Sequence, residues 1–149
     1  MARHIVGRVA DLPAGSRKIV HVDGVTGPGI GVFNVGGRFY ALKNVCPHQG
    51  AQICLGEVTG TTVAHWPEDG PPSLEWVREG EILTCPWHRW EIELATGKSV
   101  FPSKYRIRTY DVVTAKLRDL TPEELPRVDT YHVYVEDELI VLDTGPRTP

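Results

Sequence analysis

The sequence predicts a small, mostly β domain, a sandwich or barrel with little helix. Three observations carry this. Runs in which apolar and polar residues alternate with period two recur along the chain, as at residues 90–94 (WEIEL) and 105–113 (YRIRTYDVV). Segments rich in Gly and Pro punctuate them, as at residues 11–16 (DLPAGS) and 24–31 (GVTGPGIG). No stretch carries the apolar spacing of an amphipathic helix for ten or so residues. A chain of 149 residues, 41% hydrophobic and 23% charged, suits one globular domain over residues 1–149.

Residues 3–10 and 17–22 read as strands joined by the turn at 11–16. After the loop at 24–31, residues 32–35 and 38–42 form a hairpin about Gly36-Gly37, since two adjacent glycines accept the positive φ angles of a type I′ turn. This hairpin delivers the chain to Cys46. Residues 55–80 are rich in Gly, Pro and acidic residues; one short strand is expected at 61–66, and Pro71-Pro72 excludes regular structure where they stand. Residues 81–84 form a strand that runs into Cys85, 90–94 a half-buried strand, and 95–98 a turn. A strand follows at 105–113, continued by Ala115, Lys116 and Leu117. Thr121, Pro122 and Glu124 mark a single helical turn that Pro126 stops. Residues 131–135 and 139–142 flank Glu136-Asp137-Glu138 as a closing hairpin.

The net charge of −3 argues against nucleic acid as a partner, because phosphate binding needs a concentrated basic face. No stretch approaches the roughly 18–20 apolar residues of a membrane span. The first residues hold one Arg and no apolar signal core. The expectation is a soluble cytoplasmic protein that binds neither nucleic acid nor membrane. Three cysteines, Cys46, Cys54 and Cys85, make no paired disulfide framework and suggest metal ligands plus one spare thiol.

Chemistry concentrates in two short loops. One reads Cys46-Pro47-His48-Gln49-Gly50 and the other Cys85-Pro86-Trp87-His88-Arg89-Trp90, together a C-x-H … C-x-x-H set. Two thiolates and two imidazoles suit zinc or an iron–sulfur centre and fit magnesium or calcium poorly. A Cys₂His₂ zinc module is one reading, although zinc knuckles usually place two Cys in one loop. The other is a [2Fe–2S] cluster in which two His replace two Cys on one iron, which needs a Cys and a His on each of two facing loops.

With these boxes, CPHQG and CPWHRWEIELATGK, the chain resembles the Rieske family, in its oxygenase and ferredoxin branch. The resemblance spans most of the chain. It implies a cluster-binding subdomain at about 44–103, with Cys46 and Cys85 on the buried iron and His48 and His88 on the solvent-facing one. It puts Phe101-Pro102-Ser103 where the family has a Pro-containing loop over the cluster. It implies a one-electron carrier, an electron-transfer component without a catalytic site of its own. Electrons would pass from a reductase to a terminal oxidoreductase such as a ring-hydroxylating oxygenase. The small subunit of a nitrite-reductase-like complex is an alternative, and so is a structural or regulatory zinc module. A mononuclear iron site of two His and a carboxylate is not expected here, since only His132 follows His88.

Two features depart from the family pattern. The boxes stand unusually far apart, so residues 56–80 read as an insertion. Arg89 replaces the usual Gly after the second His, at a position that asks for an unusual backbone angle. The extra cysteines of the high-potential branch are missing, with Ala51 and Trp87 in their places. Its Ser and Tyr donors are replaced by Trp90 and Ile92. Fewer hydrogen bonds to the sulfurs imply a potential in the lower part of the Rieske range of roughly −150 to +300 mV.

Elsewhere, Cys54 reads as a small buried hydrophobe. His65 and Trp66 are expected to pack the insertion onto the body of the domain, with partner docking as the alternative. Glu57, Glu68, Asp69, Glu75, Glu79 and Glu81 read as a solvated loop, or as a surface that steers a basic partner. Trp87 and Trp90 flank His88, as core residues or as a screen against water.

Overall fold

The computed structural model describes residues 3–22, 27–101, 103–116 and 138–145. The chain divides into two compact units, one of residues 1–44 with 108–149 and one of residues 45–107.

Among its described residues the first unit holds six strands: β1 (Arg3–Arg8), β2 (Arg17–Val20), β3 (Ile30–Val35), β4 (Arg38–Lys43), β8 (Thr109–Lys116) and β9 (Glu138–Asp143). They form one antiparallel sheet in the order β1-β9-β8-β4-β3-β2. The β3–β4 hairpin pairs from Val35↔Arg38 to Ile30↔Lys43 about Gly36 (φ 60°) and Gly37 (φ 91°), the positive angles that the Gly-Gly pair predicts. Strand β9 lies between β1 and β8, and Leu139, Ile140, Val141 and Leu142 are all buried. A strand buried on both faces can be apolar without alternation, as this run is. The core gathers Val6, Leu12, Val20, Ile30, Val32, Ala41, Tyr110, Ile140 and Leu142. Asn34 is buried and bonded at both ends of its amide: its Nδ2 donates to Leu12 O (2.8 Å) and its Oδ1 accepts from Gly37 N–H (2.9 Å). The expected helical turn at 121–125 and strand at 131–135 lie outside the described residues.

The second unit holds β5 (Glu57–His65), β6 (Ser73–Thr84) and β7 (Glu91–Glu93) in one antiparallel sheet of that order. Here the structure corrects two expectations. Residues 55–80 are mainly a long hairpin rather than a loop with one short strand, pairing from Glu57↔Thr84 to His65↔Ser73. Its register shifts between Thr59 and Thr61, where Thr59 faces Ile82 and Thr61 faces Val77. The extra residues on β6 include Arg78 (φ 60°) and Gly80 (φ 84°), and this bulge breaks the period-two pattern that would mark a strand. Glu57, Glu75, Glu79 and Glu81 therefore stand on strands. Trp66, expected to pack onto the body of the domain, is 78% exposed, and Leu74 and Trp76 are exposed with it. The hairpin root is buried through Ile82 and Leu83, and β7 adds Ile92.

Candidate metal centre

Each of the two Cys/His loops closes on itself through the same pair of backbone hydrogen bonds. In the first, Cys46 N–H donates to Ala51 O (2.8 Å) and Gly50 N–H to Cys46 O (2.9 Å). In the second, Cys85 N–H donates to Trp90 O (2.8 Å) and Arg89 N–H to Cys85 O (3.1 Å). Each loop therefore has a Cys at its start and, four residues on, a residue in the left-handed region: Gly50 (φ 78°) and Arg89 (φ 56°). The odd angle expected after the second His is present, borne by an arginine. The strand β6 carries the chain into Cys85, and β7 carries it away.

The loops bring the four sequence-predicted residues together as two pairs. Cys46 and Cys85 are both buried, at 2% exposure, and their thiols lie within hydrogen-bonding reach of each other. Burial pushes the Cys46 thiol up, and the Cys85 thiol adds to this, while N–H groups of His48 and Gln49 donate to the Cys46 sulfur and pull it down. His48 and His88 are exposed, with ring centroids 4.8 Å apart and planes at 83°. Among the described residues no three His, Cys, Asp or Glu side chains converge as ligands of a single ion would. A pair of thiols inside and a pair of imidazoles outside is the donor set that a two-iron centre with a Cys₂ iron and a His₂ iron asks for, so the residues present fit that group.

Aromatic packing holds the imidazole pair. Trp90 is half-buried and stacks on His48, with centroids 4.4 Å apart and planes at 12°. Tyr105 meets Trp90 edge-on at 5.0 Å, and Lys104 Nζ lies 5.2 Å from the Tyr105 ring centre. Tyr105 is fixed through its carbonyl, which accepts from Ser99 N–H (2.9 Å) and Ser99 Oγ–H (3.2 Å). Of the two tryptophans beside His88, Trp90 thus screens the other imidazole, and Trp87 is 62% exposed. Tyr105 is the site residue the sequence reading missed, and nothing local marks it, because it stands 15 positions beyond the ring it supports. Phe101 is exposed, and Pro102 lies outside the described residues. Cys54 is fully buried, as expected.

A cavity of about 290 Å³ opens beside the second loop, lined by Leu55, Gly56, Glu57, Thr84, Cys85, Pro86 and Arg89. All three cysteines are free of disulfides.

Comparison with known proteins places these features in a family. The sequence profile of the Rieske [2Fe-2S] domain matches residues 2–111. The ferredoxin subunit of 3-phenylpropionate/cinnamic acid dioxygenase from Escherichia coli (strain K12) is 30% identical over 105 residues, covering 70% of this chain and 77% of that one. Among solved structures, a Sphingomonas yanoikuyae B1 ferredoxin is similar at a TM-score of 0.53 and 25% identity, over 75% of this chain and 89% of that one. The ferredoxin of carbazole 1,9a-dioxygenase from Nocardioides aromaticivorans IC177 shares the fold at a TM-score of 0.55 and 20% identity, over 94% of this chain and 97% of that one. Among the described residues no helix is long and apolar enough to cross a membrane.

Proposed function

This chain belongs to the Rieske [2Fe-2S] family, and from that premise we propose that Cys46, His48, Cys85 and His88 hold the cluster with which it carries single electrons. The donor would be a reductase and the acceptor a terminal oxygenase of an aromatic-ring dioxygenase system. The observation that carries the ligand assignment is the split donor set: two buried thiols and two exposed imidazoles on loops of one backbone pattern. Its relatives' roles as ferredoxin subunits of dioxygenases support the carrier reading.

When bound, the cluster takes up and releases one electron at a time. The chain's residues do the rest. Cys46 and Cys85 serve as thiolates, and the N–H groups of His48 and Gln49 offset the charge at the Cys46 sulfur. His48 and His88, as neutral imidazoles, form the exposed edge of the site, so a partner reaches the centre from their side. Trp90 and Tyr105 hold the His48 ring in one orientation and keep water from its face. Trp90 and Ile92 offer no hydroxyl to the sulfurs, which supports a potential in the lower part of the family's range. The three unbridged cysteines suit a reducing cytoplasm.

The test is a reconstituted chain. With a ferredoxin reductase and reduced nicotinamide, the anaerobic protein is expected to take up one electron per chain, then return to its oxidised spectrum on mixing with an oxidised terminal oxygenase. A protein that is reduced but passes nothing to any terminal oxygenase, or that is colourless and holds one zinc, would overturn the reading.

A further inference from the structure

The two ligand loops share one hydrogen-bond frame, and their fourth residue after the Cys takes a left-handed angle in both. In the first loop that residue is Gly50, with open space where a Cβ would stand. Glycine is the unstrained choice for such an angle. The second loop carries Arg89 there instead, so the backbone bears a strain that a glycine would remove. What the chain gains is the side chain. Arg89 is exposed, yet it shares the wall of a cavity with Cys85 and lies next to His88 in the chain. Its guanidinium makes no hydrogen bond or ion pair among the described residues. Glu57 lines the same cavity without pairing with it. Among the described residues no contact thus neutralises the charge of Arg89, which stands in the loop that supplies one thiolate and one imidazole.

We propose that Arg89 is a positioning charge that raises the reduction potential of the centre. Uptake of one electron makes or breaks no bond and makes the site more negative by one charge. A nearby unpaired cation stabilises the reduced form more than the oxidised form, so it favours uptake. Arg89 touches neither the electron donor nor the acceptor in this account. It acts through the field it places on the cluster. Because it is exposed, its effect is weakened by salt. The proposal rests on the four-ligand reading above.

Three variants separate charge from backbone strain. R89G removes both, R89Q removes the charge and keeps the strained angle, and R89K keeps both. Each is purified anaerobically, its iron and sulfide are counted, and its midpoint potential is measured by spectroelectrochemical titration at low and at high salt. The expected result is two irons and two sulfides in all four proteins. R89G and R89Q fall to the same lower potential, and R89K stays near the wild-type value. The gap to wild type narrows as salt is added. Equal potentials in wild type, R89G and R89Q would overturn the proposal and leave the ligand reading standing. So would a fall in R89G with none in R89Q, because strain and not charge would then set the potential. A wild-type protein with one zinc and no sulfide would overturn both.

Discussion

A single methyl group at Gly56 tests how the two loops are held. Gly56 sits between the short 3-10 turn Ile53–Leu55 and strand β5, and its N–H donates to Ile53 O (2.9 Å). A Cβ built there would overlap the Thr84 carbonyl oxygen and stand 2.9 Å from the Thr84 carbonyl carbon and 3.1 Å from Ile53 O. All three atoms are backbone, so no rotamer change relieves the clash. The strand ends must part by about an ångström or more, roughly the shortfall from ordinary contact between carbon and oxygen. That loosens the Glu57↔Thr84 pair and the Gly56–Ile53 bond. Overpacking costs ~1–3 kcal/mol, and two weakened backbone hydrogen bonds add ~0.5–1.5 kcal/mol each. At about 2–4 °C per kcal/mol for a chain of this size, Gly56→Ala lowers the thermal midpoint by on the order of 10 °C. Thr84 precedes Cys85, so the same displacement moves the second ligand loop, and the visible absorbance of the cluster is lost faster on warming. Gly50→Ala is the control. It meets a positive φ but open space, and costs only ~1–2 kcal/mol. Circular dichroism melts and absorbance decay at one scan rate read both. A Gly56→Ala protein as stable as wild type, or less affected than Gly50→Ala, would refute the reasoning.

Three further outcomes are expected. Trp90→Ala removes the stack on His48 and the edge contact to Tyr105, a loss of ~1–3 kcal/mol from two aromatic pairs; thermal melts check it, and Trp90→Phe recovers part of the loss. Asn34→Ala leaves the buried Leu12 carbonyl without its partner and costs ~1–3 kcal/mol in denaturant unfolding, the penalty of one buried group left unpaired; the Gly37 N–H stands in an exposed turn, where water replaces the lost bond. Arg78 holds the Glu93 carboxyl below its ordinary value of 4.5, through a 2.6 Å ion pair. A lowered carboxylate stabilises the fold above its unfolded value, and that stability is lost as pH falls through the folded one. Arg78→Ala therefore costs at most ~1 kcal/mol near neutral pH, and the gap to wild type closes as the pH is taken below 4.5; urea midpoints across that range show it.

Much of the site could be read from residues near one another in sequence. The Gly36-Gly37 hairpin and the two boxes are local patterns, and local hydrogen bonds build them. The angle at Arg89 was legible because the family pattern has a Gly at that position, the residue that takes a left-handed angle without strain. Two features were not legible. The β5–β6 hairpin hides because its bulge opposite Gly60 shifts the side-chain period partway along β6. Beyond that bulge, exposed tryptophan and leucine stand where burial would normally be inferred. The Trp90–Tyr105 support is a contact between separate segments, set by the Ser99–Tyr105 and Lys98–Arg106 pairings that no local pattern encodes.

The central claim is that two cysteines and two histidines of this chain hold a two-iron centre. Pulsed electron paramagnetic resonance on the reduced protein, with histidine labelled by nitrogen-15, tests it most directly. The account predicts couplings from two directly bound imidazole nitrogens in the wild-type protein and from one after His88→Cys. A spectrum with no bound histidine nitrogen, or a wild-type spectrum unchanged by His88→Cys, would contradict it.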